Sequence, residues 1–151
     1  MNRQITIEQI FDSLWQKYIT ENRQVAALHQ QLLALGETIH NDHIALRGFS
    51  RTGFDLDRLS SFFLERGYVH GGNYHFEQKK LRACHLEPPR SELPKVFISE
   101  LLLEQCSNEL QKIVDPLLRQ VDATGLQSPA MLWRGRAWTA ISKSTYDQLL
   151  A

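Results

Sequence analysis

Apolar residues recur at helical spacing from the start of the chain, with Ile7, Ile10, Phe11, Leu14, Trp15 and Tyr18 three or four positions apart down to about Glu21. Thr6-Ile7-Glu8-Gln9 has the spacing of a capping box and marks where this first helix begins. Val25, Leu28, Leu32 and Leu35 predict a second helix from about Gln24 to Leu35, with Gly36 placed to end it, and the two apolar stripes are expected to pack together. After Gly36 the period changes to two. Thr38–Phe49 reads as a strand, and Arg51-Thr52-Gly53 breaks it. Leu56, Leu59, Phe62 and Phe63 then form the buried side of a third helix, which Gly67 stops before a strand through Tyr68 and Val69.

Gly71-Gly72-Asn73 predicts a turn, and Tyr74–Phe76 and Lys79–Leu86 read as extended pieces joined tightly, as in a hairpin. Pro88, Pro89 and Pro94 delimit a loop, after which Val96, Phe97 and Ile98 give Lys95–Leu102 the composition of a further strand. The order from Thr38 to Leu102 is therefore βαβββ. Ser107 is placed to cap a later helix carrying Leu110, Ile113, Val114, Leu117, Leu118 and Val121. Pro116 inside it predicts a kink, or a restart with Asp115 as cap. Thr124–Pro129 reads as a loop, Trp133 and Trp138 bracket a basic irregular stretch with no legible function, and Ser144–Leu150 has the pattern of a helix start.

The fold class expected is α+β: an N-terminal helical pair, one βαβββ module and a C-terminal helix. A length of 151 residues with 42% hydrophobic and 23% charged residues suits one soluble domain. Seventeen basic residues balance seventeen acidic ones without a basic block, which argues against nucleic acid or an anionic membrane as partner. MNRQITIEQIFDSLW lacks the apolar core of a leader, no run is long enough to span a membrane, and a cytoplasmic location is expected. Cys84 and Cys106 lie outside any CxxC or Cys/His cluster and read as reduced thiols.

Candidate chemistry centres on Asn41-Asp42-His43-Ile44-Ala45-Leu46-Arg47. Alternation along a strand sends Ile39, Asn41, His43, Ala45 and Arg47 one way and Ile44 and Leu46 the other, towards an apolar layer. At roughly 3.3 Å per residue the backbones of His43 and Arg47 stand about 13 Å apart, so their side chains can converge on a small ligand above Ala45. The same pair also reads as ordinary polar residues of a half-exposed strand. His40 falls on the opposite side, while His29, His70 and His75 sit on a helix or beside the glycines, where solvated roles dominate. His85 is better placed, one strand pair away in Lys79–His85, and also reads as an ordinary structural residue. Glu100 shares a face with Val96 and Ile98, which asks for a partner: either a role in function or an ion pair with a lysine or arginine. Lys79, Lys80 and Arg82 read either as a solvated sheet edge or as a contact for a distal carboxylate. No GxSxG elbow, GxGxxG or phosphate loop is present.

Asn41–Arg47, Lys79-Lys80-Leu81-Arg82-Ala83 and Pro94–Leu101, together with Phe11, Leu14-Trp15, Tyr18 and Gly67-Tyr68, resemble the 2-oxoadipate dioxygenase/decarboxylase family. The resemblance runs from about Thr6 to Ser107 and thins beyond Val121, where Trp138 and Tyr146–Leu149 still look familiar. It implies a glyoxalase-like, vicinal-oxygen-chelate-related module and non-haem Fe(II) chemistry with oxygen on a 2-oxo acid, 2-oxoadipate giving 2-hydroxyglutarate in lysine breakdown. Carried over, the metal ligand falls on His43 and the substrate-carboxylate arginine on Arg47. Glu100, His85 and Lys80 remain candidates for supporting or substrate contacts. The resemblance places the second histidine and the carboxylate ligand beyond this chain, so residues 1–151 are expected to form one domain that is the N-terminal part of a larger dioxygenase domain. Weak iron binding by this chain alone follows. The competing expectations are a non-enzymatic glyoxalase-like module that pairs two copies around an anionic small molecule, and an inactive remnant.

Overall fold

The computed structural model describes residues 5–150, apart from the side chain of Ala123. Residues 1–4, which entered the reading of the N-terminus, and Ala151 lie outside the described residues. Helix α1 (Ile7–Glu21) begins where its capping box predicts: Thr6 Oγ1 accepts from Gln9 N at 3.3 Å and Gln9 Oε1 accepts from Thr6 N at 2.9 Å. Its Ile7 and Ile10 are buried, and Phe11 lies beside Phe63 and Tyr68.

Helix α2 (Arg23–Ala34) departs from the expected packing. It buries none of its residues, and Leu28, Leu33 and Leu35 are exposed. Contact with α1 includes the Trp15 indole standing edge-on to the His29 imidazole, 5.2 Å between centroids. The cause is that the apolar side of α1 already lies against Phe63 and Tyr68.

Strand β1 (His43–Phe49) starts later than the period-two pattern suggests, so Thr38–Asn41 lie outside it. Its partner explains the start. Strand β4 (Lys95–Leu101) runs parallel to β1 from the pair His43–Lys95, with Lys95 N donating to Asp42 O, and the preceding Pro94 has no N–H to extend the ladder. Between them come helix α3 (Leu56–Leu64), capped by Asp55 accepting from Arg58 N at 2.8 Å, strand β2 (Val69–Phe76) and strand β3 (Leu81–Glu87). The βαβββ order is thus present, with the strands arranged β1-β4-β3-β2 and all pairs but β1/β4 antiparallel.

Gly71-Gly72-Asn73 is not a turn. β2 runs through it with a bulge between His70 and Gly72, and the chain reverses at the 3-10 turn Glu77–Lys79, where Lys80 takes the left-handed conformation at φ 51°. β3 lies inside the sheet, so Lys79, Lys80 and Arg82 do not form a charged sheet edge.

Helix α4 (Asn108–Leu118) is capped by Ser107 and continues through Pro116 without a restart. Asp115 is no cap; it accepts from Arg51 Nε at 2.8 Å. The segment predicted as a loop holds helix α5 (Ala123–Gln127), for which Asp122 Oδ1 accepts from Gly125 N at 2.7 Å, followed by a 3-10 turn at Pro129–Leu132. Helix α6 (Lys143–Leu150) closes the described chain. No described helix is long and apolar enough to cross a membrane.

Two apolar clusters hold these elements. Ile10, Phe62, Phe63, Leu86, Val96 and Ile98 fill the space between the helices and one face of the sheet. Leu103, Val114 and Leu118 gather Phe49, Leu101 and Trp138 in the second. Cys84 lies in the first, and burial pushes its thiol up while the Ser60 hydroxyl pulls it down. Titration of the folded protein with an aromatic disulfide reagent should therefore report the half-buried Cys106 alone, and both thiols after denaturation. Fast reaction of two thiols in the folded state would contradict the packing around Cys84.

Candidate functional site on the open face of the sheet

Alternation and register sort the sheet into two faces. Ile44, Leu46, Val96, Ile98, Cys84 and Leu86 meet the helices. The opposite, open face forms a grid. One row runs His43, Lys95; the next Ala45, Phe97, His85, Gly72; the third Arg47, Ser99, Ala83, Tyr74. His43 and Arg47 thus share a face, as alternation requires, and His85 stands two strands away on that same face.

His43 is exposed, and its Nδ1 lies 3.0 Å from Asp42 Oδ2, which leaves Nε2 directed away from that carboxylate. A carboxylate on the far nitrogen orients an imidazole and raises its basicity as a ligand, so His43 suits a metal as one donor. Among the described residues, however, no group of three or more His, Cys, Asp and Glu could hold an ion. The described residues provide a fitting ligand without a complete coordination set. Arg47 leans inward over β4, its Nη1 donating to Ser99 Oγ at 3.3 Å, and makes no ion pair among the described residues. A guanidinium left without a carboxylate can take one from a ligand, in the two-pronged geometry that a lysine lacks.

His85 is fixed on three sides. Tyr74 Oη and His85 Nδ1 are 2.8 Å apart, His85 Nε2 lies 3.2 Å from Glu87 Oε1, and Glu87 in turn accepts from Lys95 Nζ at 2.9 Å. That ammonium holds the Glu87 carboxyl below the usual range, with the His85 contact adding to it, and Lys95 is raised in return. The imidazole also rests on the bulge: a Cβ at Gly71 would come within 2.2 Å of His85 Nε2. This explains the glycines in β2. They make room for a side chain from the neighbouring strand, a relation that local sequence does not reveal.

The structure places Glu100 and Lys80 elsewhere. Glu100, 1% exposed, is on the helix face, where it accepts from Leu56 N at 2.6 Å and Arg82 Nε at 2.7 Å. It joins the start of α3 to β3 and β4, and its partner is the arginine that one of the two sequence alternatives required. The Glu100 hydrogen bond keeps Arg82 above its ordinary range. Lys80 is at the turn before β3, where its carbonyl accepts from Leu102 N. Sequence reasoning left the stretch between α5 and α6 without a role. Arg134, Gly135 and Trp138 return to β1 and line a cavity with Arg47, Phe49 and Phe54; the two tryptophans were the signal of buried surface there. A second, apolar groove lies between β1 and α1, with His43 beside Trp15 and Tyr18.

A βαβββ sheet that offers a histidine and an unpaired arginine on its open face defines a glyoxalase-like α+β protein, a fold found in glyoxalase-superfamily structures. Residues 6–130 match the model of one family, described as 2-oxoadipate dioxygenase/decarboxylase, and the chain belongs to that family. A relative from Arabidopsis thaliana, named 2-oxoadipate dioxygenase/decarboxylase, chloroplastic, is 40% identical over 84 residues, covering 48% of this chain and 23% of the relative. A solved structure from Shewanella frigidimarina is similar with a TM-score of 0.89 and 44% identity over 97% of this chain and 57% of that one. The hydroxyglutarate synthase of Oryza sativa, solved in complex with 2-oxoadipate, has a TM-score of 0.82 and 26% identity over 93% of this chain and 49% of that one. The chain thus spans about half the length of the solved relatives and about a quarter of the curated one.

Proposed function

We propose that this chain carries the substrate-anchoring part of an Fe(II)- and oxygen-dependent enzyme that converts 2-oxoadipate to 2-hydroxyglutarate and carbon dioxide, a step of lysine breakdown, in the cytoplasm. The observation that carries this reading is the shared open face of His43 and Arg47 in a chain of this family. Arg47 pairs with a carboxylate of the 2-oxo acid and fixes its orientation. His43, oriented by Asp42, is one iron ligand. Bound iron would supply the redox capacity that lets molecular oxygen oxidise the 2-oxo acid as it loses its carboxylate.

One observation favours a second reading, a binding module without turnover: among the described residues His43 has no companions that would complete a metal site. A second copy of the chain facing the first would then enclose the ligand. Calorimetry with 2-oxoadipate and an oxygen electrode with Fe(II) separate the two. The expected results are binding that weakens at least about tenfold in Arg47→Ala, the scale of a lost charged hydrogen bond, and Fe(II)-dependent oxygen uptake, slow because iron is weakly held, that His43→Ala removes. Binding without oxygen uptake leaves the module reading, with a dimer by sedimentation as its mark. Absence of both sinks the assignment.

A further inference from the structure

His43 and Arg47 occupy one side of the open face, and the other side has no task in the proposed reaction. That side is built with some cost to the sheet. Two glycines and a bulge interrupt β2 so that the His85 imidazole can lie against its backbone. The imidazole in turn bonds Tyr74 and contacts Glu87. Tyr74 is 42% exposed, an amphipathic side chain whose hydroxyl is held by His85.

Tyr74 occupies the same cross-strand row as Arg47, with the small residues Ser99 and Ala83 between them. Both long side chains lean inward. The Arg47 guanidinium reaches Ser99 on β4, and the Tyr74 ring lies 5.9 Å from Phe97, also on β4, and 5.7 Å from His85. Their polar ends are therefore one to two strand spacings apart, roughly 5–10 Å. An extended six-carbon diacid, with C–C bonds near 1.5 Å, spans about 6 Å between its carboxyl carbons. Phe97 supplies an apolar surface beside that span.

We propose that the open face is a two-pole cradle for a dicarboxylic 2-oxo acid, in which Arg47 takes one carboxylate and Tyr74, seated on His85, takes the other. This rests on the functional reading above, which makes the His43 and Arg47 face the substrate face. The hydrogen-bond inventory sets a condition. A neutral His85 that donates Nε2–H to Glu87 accepts the Tyr74 O–H at Nδ1, so the hydroxyl has no proton for a ligand. With the proton on Nδ1 the bond reverses: Nδ1–H donates to the tyrosine oxygen and the O–H is released towards the carboxylate. The charged and titratable groups facing His85 are Glu87 on its own strand, Tyr74 on β2 and, through Glu87, Lys95 on β4. The diacid thus favours the arrangement in which His85 Nδ1 donates, whereas a 2-oxo acid without the second carboxylate favours neither.

The test is calorimetry on the whole chain with 2-oxoadipate and with 2-oxohexanoate, the acid of equal length that lacks the distal carboxylate. The wild-type chain should prefer the diacid by about tenfold, one charged hydrogen bond's worth of affinity. Tyr74→Phe and His85→Asn should erase that preference while leaving 2-oxohexanoate affinity within about twofold, since neither touches the Arg47 pole. Arg47→Lys should weaken both acids. A Tyr74→Phe chain that folds, binds and keeps the diacid preference overturns the cradle and leaves the function standing. A wild-type chain that binds neither acid overturns both.

Discussion

Replacing Gly48 with alanine should destabilise the protein by about 3 kcal/mol or more, at or above the upper end of ordinary overpacking. The position lies between Arg47 and Phe49 in β1. A Cβ there would sit 2.0 Å from the Phe54 carbonyl oxygen and 2.9 Å from Leu59 Cδ1. The Leu59 methyl can turn aside, but the carbonyl cannot, because it accepts from Phe49 N at 3.0 Å and so pins the loop onto the strand. Relief requires lifting that loop, with the start of α3 behind it, or pushing β1 from β4. Either movement carries Arg47 with it. Chemical denaturation should show a lower midpoint at unchanged slope, and the variant should lose 2-oxo acid binding beyond what instability explains. A change below about 0.5 kcal/mol, the range of neutral surface substitutions, would show that the loop does not press on the strand.

The second large effect concerns Glu100. Glu100→Ala should cost about 3 kcal/mol, within the range for breaking a buried charged pair. It removes the acceptor for Leu56 N, leaves a void beneath α3 and deprives Arg82 of its nearest carboxylate. Asp57 is 3.9 Å from Arg82 and largely solvated, so it compensates little. Glu100→Gln keeps the volume and an acceptor oxygen for Leu56 N, and should cost clearly less. Thermal melts of both variants check the order, with about 2–4 °C expected per kcal/mol for a chain of this size. Equal losses for Ala and Gln would mean that charge, rather than the bond to α3, is what matters.

These two positions also show what the sequence can and cannot convey. Periodicity sets out helix, strand and helix because the apolar side of each element repeats locally: Leu56, Leu59, Phe62 and Phe63 need no knowledge of what they touch. The shared face of His43 and Arg47 follows from alternation alone. What stays hidden depends on distant partners. The Gly71-Gly72 pair reads as a turn until His85 is seen lying on it. Glu100 remains ambiguous until Arg82 and Leu56 N are found around it. The pairing of β1 with β4, which decides the neighbours of Arg47, is a property of the assembled sheet. Helix α5 was missed because five residues give too short a stretch for a period, and its Asp122 cap looks like any loop aspartate.

The parallel pairing of β1 with β4 has a consequence for how the protein acquires its site. β2, β3 and β4 follow one another and can zip up through short connections, whereas each β1 pair joins residues 52 positions apart, as His43 does with Lys95. Closing so long a loop is entropically costly and is compensated only once a receiving strand exists. The strand with the histidine and the arginine therefore docks onto a meander that is already formed. A nascent chain would expose the Tyr74 and His85 side of the face before the Arg47 side is in place, so ligand capture becomes a property of the finished sheet and of no folding intermediate.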